Sequence, residues 1–219
     1  MAPRGVLEIV EGKDAVESAQ GNYYTSMAPT LARHLVIEAF NNAWANHRLL
    51  KACCELTPEE FAARRTSFFP SIRATLNHIL TVDWFYLEIL ERSLARLPPH
   101  ANPNRFFEPD EPFADCAALS REQYASDKRL IALCESAGDD RMDAEVLLPR
   151  RTGIERDQLH RILAHLFQHQ IHHRGQAHAM LAGTRVKPPQ LDEFYCANEA
   201  RLRAPDFAEL GFSEEKIWP

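Results

Sequence analysis

Four histidines fall within the twelve residues HLFQHQIHHRGQ, positions 165–176. His169 and His173 stand four apart, so on a helix one turn separates them and both imidazoles leave the same face. Two neutral imidazoles at that spacing can close on one divalent ion. A third ligand must then come from another element, and His78, in TLNHILTVDWF, is the best placed. Three nitrogen ligands leave a position open for water or substrate, as in a catalytic rather than a structural metal centre. His165, four residues before His169, is an alternative to His173. All three cannot share one ion, because they span about 12 Å of helical rise. The competing reading is a set of core histidines satisfied by backbone carbonyls or by one another.

The neighbours of these histidines matter to either reading. Gln176 lies along the margin of the same face and is a candidate to orient a ligand or bind substrate. Arg174 points away from the pair and is read as supporting helix packing or a salt bridge across a dimer. Asp83, five residues past His78, reads either as a solvated or capping carboxylate or as one that orients a metal ligand. His160 and His178 fall on the far side of the helix, where solvent is expected. No carboxylate pair is spaced for general acid–base work, and no HExxH glutamate accompanies the histidine pair, which weakens a zinc-peptidase reading. Nitrogen ligation suits zinc or nickel first, and also iron, copper or cobalt.

With 219 residues, 45% of them hydrophobic, the chain can bury one substantial core. A net charge of −6 without any basic block argues against a nucleic-acid partner. No apolar run approaches the ~18 to 20 residues of a membrane span, and the charged start MAPRGVLEIVEGKDAVES lacks a secretory apolar region. Five cysteines, with Cys53 and Cys54 adjacent, make neither a spaced disulfide framework nor a CxxC zinc pattern. The expected compartment is a reducing cytoplasm. Cys53 and Cys54 are expected to pack at a helix end rather than act as nucleophiles.

Periodicity supplies the elements. Residues 1–26 lack a steady apolar period and are expected to form an N-terminal extension. A helix is predicted over residues 28–56, with Leu31, Leu35, Ala39, Asn42, Leu49 and Ala52 along one stripe, ended by Thr57-Pro58. After the loop FAARRTSFFP, Ser71 is a predicted N-cap for a helix reaching residue 96. There Ala74, His78, Val82, Phe85 and Ile89 form a core stripe, while Leu80, Trp84, Leu87 and Leu94 face the other way. Both faces need cover, and a second subunit is expected to supply one. Residues 98–112 read as an irregular proline-rich connection. A third helix is predicted over 113–137, and AEVLLP (144–149) as a short strand or extended loop before a turn at Gly153. A fourth helix is predicted over 157–182 with Gly183 as its stop, and residues 197–219 read as a tail of short helical pieces. Four long helices make an all-α four-helix bundle over residues 27–196, with His78 on its second helix and His169 and His173 on its fourth.

Three segments in this order, WANHRLL (44–50), NHILTVDWF (77–85) and HLFQHQIHHRGQAHAML (165–181), resemble the DinB-like family. PPQLDEFY (188–195) is similar to the stretch that follows its last bundle helix, so the resemblance covers about residues 28–196. It implies an up-down-down-up bundle, a homodimer, and a three-histidine divalent-metal site carried onto His78, His169 and His173. Gln168 departs from the asparagine common before the first histidine of the pair and leaves the ligands in place. Some members are thiol-dependent transferases or isomerases that use a thiol such as bacillithiol or mycothiol; others are described only as damage-inducible proteins or metal-dependent hydrolases. The resemblance therefore implies a divalent metal, a low-molecular-weight thiol as co-substrate and a small-molecule substrate, and it leaves thiol S-transfer and hydrolysis both open. The alternative is a metal-binding stress-response protein without turnover.

Overall fold

Polar caps set where the long helices begin. In the computed structural model, which describes residues 29–218, Thr30 accepts from the Arg33 amide at the start of α1 (Leu31–Cys53). Thr57 and Glu60 then form a reciprocal capping box on the short helix α2 (Pro58–Ala62), inside a stretch expected to be loop. Ser71 accepts from the Ala74 amide ahead of α3 (Ile72–Leu94), and Asp115 from the Ala118 amide ahead of α4 (Cys116–Ser136). The expected extension over residues 1–26 lies outside the described residues.

The sequence reading leaves most of a second strand unassigned and starts the last bundle helix two residues early, at Asp157. β1 (Glu145–Arg150) pairs antiparallel with β2 (Gly153–Gln158), Glu145 opposite Gln158 and Arg150 opposite Gly153. Gly153 has φ of 128°, which a side chain would resist, so glycine closes this hairpin. α5 (Leu159–Ala182) starts only after β2 and has no side-chain cap. The hairpin stem replaces one: the Leu159 and His160 amides donate to the Ala144 and Met142 carbonyls.

One apolar cluster fixes the direction of each bundle helix. It joins Leu49 and Cys53 from the end of α1 with Ile72 and Leu76 from the start of α3. Cys116 and Leu119 from the start of α4 and Ala177 and Leu181 from the end of α5 complete it. α1 and α5 therefore run one way and α3 and α4 the other, the up-down-down-up order of an all-α four-helix bundle. Because α3 and α4 are parallel, the connection between them must travel the length of the bundle. That crossover contains the 3₁₀ turn Pro103–Phe107.

The crossover also corrects an expectation. Both faces of α3 are covered to a large extent by its own chain, where one was expected to need a second subunit. Leu80 and Leu87 are fully buried, and Phe85 lies 5.3 Å from Phe107 and 6.4 Å from Phe106, ring centre to ring centre. Nearer the helix end, Ser93 Oγ accepts from the Leu147 amide of β1. The C-terminal residues pack back as well. α6 (Ala200–Leu210) and α7 (Glu214–Ile217) bury Phe207, Leu210 and Ile217 in the main core, and Arg48 of α1 pairs with Glu193 and Asp206. Among the described residues no helix is long and apolar enough to cross a membrane.

A buried polar layer crosses the middle of the bundle, with a contribution from each of its four helices. Asp127 accepts from Asn42 Nδ2 (3.2 Å), Asn46 Nδ2 (2.9 Å) and Gln123 Nε2 (3.2 Å). Asp83 accepts from Gln123 Nε2 (2.6 Å) and from Gln170 Nε2. Arg174 donates to Asn42 Oδ1 and to Asn46 Oδ1 (3.0 Å), so amides relay its charge to both carboxylates. Asp83 is thus neither solvated, nor a cap, nor a partner of the histidines, and Arg174 pairs inside its own chain rather than across a dimer. Burial pushes Asp83 up to about 7 and Asp127 to about 6, while the Arg174 charge pulls both back.

The folded state consequently binds more protons than the unfolded chain between about pH 4 and pH 7. The contribution of these carboxyls to stability is fully present below their unfolded value and is lost as pH rises through 6 to 7. Replacing the cation, Arg174→Met, should lower unfolding free energy by about 3 kcal/mol at pH 8 and by clearly less at pH 5, where both carboxyls are neutral. Urea denaturation at the two pH values measures this; an equal loss at both would contradict the charge assignment.

Candidate metal centre

Antiparallel packing brings the first turns of α3 against the last turns of α5, and with them His78 against His169 and His173. One ring nitrogen of each histidine lies within 4.8 Å of the other two. The Nε2 atoms of His78 and His169 are 3.0 Å apart. Ring centres of His78 and His173 are separated by 4.7 Å, and those of His169 and His173 by 4.4 Å. His165 stays outside the trio: it is exposed, packs on Tyr86, and its ring centre is 6.4 Å from that of His169. The alternative ligand pair drops away.

The donor set fits a divalent ion. Two nitrogens bound to one tetrahedral zinc at about 2.0 to 2.1 Å stand about 3.3 Å apart, a few tenths from the separation seen here. His173 Nδ1 lies 2.8 Å from Gln176 Oε1, so Nδ1–H donates and the Nε2 lone pair is left for another partner. His169 Nδ1 is buried without a hydrogen-bond partner among the described residues. Mutual hydrogen bonding thus leaves the cluster incompletely satisfied.

Electrostatics keeps these rings neutral. Burial, and then the neighbouring His173, lowers His78 to about 4. Burial followed by the surrounding histidines lowers His169 to about 3. His173 is lowered as well, by burial first, with its Gln176 bond acting the other way. Neutral imidazole is the form that binds metal.

Two aromatic rings cover one side of the trio. Phe69 sits 4.3 Å from the His78 ring and 5.4 Å from that of His173, and Phe68, largely exposed, is 6.1 Å from His173. Neither was singled out from sequence, although paired aromatics in an otherwise polar loop just before an N-cap are a visible signal. Beside them opens a cavity of about 620 Å³ lined by Arg65, Ser67, His172, Gln176 and Met180. Gln176 belongs to both: its Oε1 holds His173 while its Nε2 donates to His172 Nε2 (3.0 Å) at the cavity wall. His160 and His178, expected in solvent, are half-buried instead, with ring nitrogens on the Met142 and Pro189 carbonyls.

The model of the DinB family matches residues 38–203, well over half of the chain and including all three histidines. No curated protein matches it.

Three ordinary imidazoles titrating near 6.5 would weaken metal binding roughly a thousandfold between pH 7.5 and pH 5.5. His78 and His169, at about 4 and about 3, are already neutral through that range, and His173 is lowered as well, so the loss should stay below the roughly tenfold that one ordinary imidazole would cause. Calorimetric titration with zinc at both pH values tests this, and a large loss at pH 5.5 would contradict the burial argument.

Proposed function

The chain belongs to the DinB family, and on that premise we propose that it is a divalent-metal-dependent enzyme acting on a small molecule. His78, His169 and His173 would hold the ion, zinc or nickel foremost, and substrate would enter through the cavity beside Gln176. The observation that carries this reading is the convergence of three neutral imidazoles from two helices next to an open cavity. A divalent ion at that point lowers the pKa of a thiol or water bound to it and so supplies a nucleophile near neutral pH.

The chain's own residues prepare the site for such chemistry. Gln176 fixes the tautomer of His173 by accepting from Nδ1–H, which aims Nε2 inward. Phe69 shields the His78 and His173 rings from water on one side, strengthening electrostatic interactions within. The cavity side stays accessible for a low-molecular-weight thiol and its electrophile. In this reading the reaction is thiol S-transfer, with hydrolysis as the variant in which water takes the place of the thiol.

Purified wild type should carry about one divalent ion per chain. It should accelerate conjugation of an electrophile with at least one of several low-molecular-weight thiols, or hydrolysis, by about 100-fold or more. His78→Ala and His173→Ala should keep their helical circular dichroism and lose both metal and turnover. Stoichiometric metal without acceleration of any of these reactions would leave a non-catalytic metal-binding protein and overturn the enzyme reading.

A further inference from the structure

Away from the histidines, the end of α1 and the start of α4 bring two thiols together. Cys54, the residue that caps α1, is exposed; Cys116, the first residue of α4, is buried. Their Sγ atoms are 2.8 Å apart although 62 positions separate them in the chain. A disulfide bond is about 2.05 Å long, so a side-chain movement of under about 1 Å would close it. Buried packing was expected of both Cys53 and Cys54. It holds for Cys53, whose thiol burial pushes up to about 12, and fails for Cys54, which reaches solvent.

We propose that Cys54 and Cys116 form a reversible redox pair that a low-molecular-weight disulfide oxidises. Cys54 is the entry point, being the accessible sulfur of the two. The shared hydrogen bond holds its thiol below the ordinary value and Cys116 above it, so of the two Cys54 is the one that gives up its proton to solvent first. The Cys54 thiolate attacks one sulfur of the external disulfide, R–S–S–R; that bond breaks and one thiolate leaves, taking up the Cys116 proton. Cys116 sulfur then attacks Cys54 Sγ, and the second thiolate leaves and is protonated by water. Two protein thiols are oxidised to one disulfide, and the external disulfide is reduced to two thiols.

The bond would tie α1 to α4 within the apolar cluster that also holds Ile79, next to His78, and Ala177, one turn beyond His173. Oxidation therefore stiffens the end of the bundle that carries the imidazoles. The inference stands apart from the proposed reaction, since no step of it uses the histidines.

Incubation of the full chain with oxidised glutathione, followed by intact-mass analysis and non-reducing peptide mapping, tests the pair. Wild type should lose two hydrogens, show a Cys54–Cys116 cross-link, and gain about 5 to 15 °C in Tm that dithiothreitol reverses. Cys116→Ser should instead hold a stable glutathione adduct on Cys54, because the resolving sulfur is gone. Cys54→Ser, at the exposed position, should fold normally and show neither link nor adduct at Cys116. A persistent Cys54 adduct in wild type, a cross-link to Cys53 or Cys196, or a fully reduced wild type whose denatured form reacts would each overturn the proposal.

Discussion

Arg174 lies wholly inside the bundle, and the placement of everything on α5 follows from what surrounds it. Its guanidinium meets Asn42 and Asn46 of α1, which in turn serve Asp127 of α4; one turn earlier on α5, Gln170 serves Asp83 of α3. Sliding α5 by one residue would rotate it by about 100° and carry Arg174 away from the amides, stranding two carboxyls in the core. Leaving buried charge uncompensated costs several kcal/mol (about 3 to 5 in measured cases), far more than the apolar contacts of one slipped position return. The layer acts as a register pin. Gln170 directly follows His169 and Arg174 directly follows His173, so pinning one set of side chains aims the other.

That arrangement explains how imidazoles can meet in an interior that disfavours charge. Burial alone would leave their nitrogens poorly satisfied, as the orphaned His169 Nδ1 shows. Phe69 packs on the His78 and His173 rings, and of the trio His173 is buried while His78 and His169 stay partly exposed. The scaffold therefore holds the imidazoles together on its own, which would cut the reorganisation that binding a metal requires. The same end of the molecule carries the Cys54–Cys116 contact, where α1 and α4 are nearest to being joined covalently.

Much of this was legible in the residue order because helical periodicity is a local property. Ser71 as an N-cap, the stripe through His78, and the one-turn spacing of His169 and His173 each depend on a few neighbouring residues. β2 was missed for the opposite reason: its side chains are mostly exposed and polar, so it shows no apolar alternation, and Asp157 read as a helix start. The polar layer left a partial trace. Asn42 and Asn46, Gln123 and Asp127, and Gln170 and Arg174 are each polar pairs four apart on otherwise apolar faces, yet which pair meets which is a tertiary fact that spacing cannot supply. The cover on α3 was assigned to a partner subunit because a proline-rich crossover gives no periodic sign that Phe106 and Phe107 will fold back on Phe85.

The central claim is that the bundle delivers three imidazole nitrogens to one point. X-ray absorption at the zinc edge of the wild-type chain loaded with one equivalent of zinc reads this most directly. Three histidine nitrogens at about 2.0 to 2.1 Å, completed by one further light-atom ligand, is the expected result. Two or fewer imidazoles, or sulfur scattering at about 2.3 Å from a cysteine ligand, would contradict it.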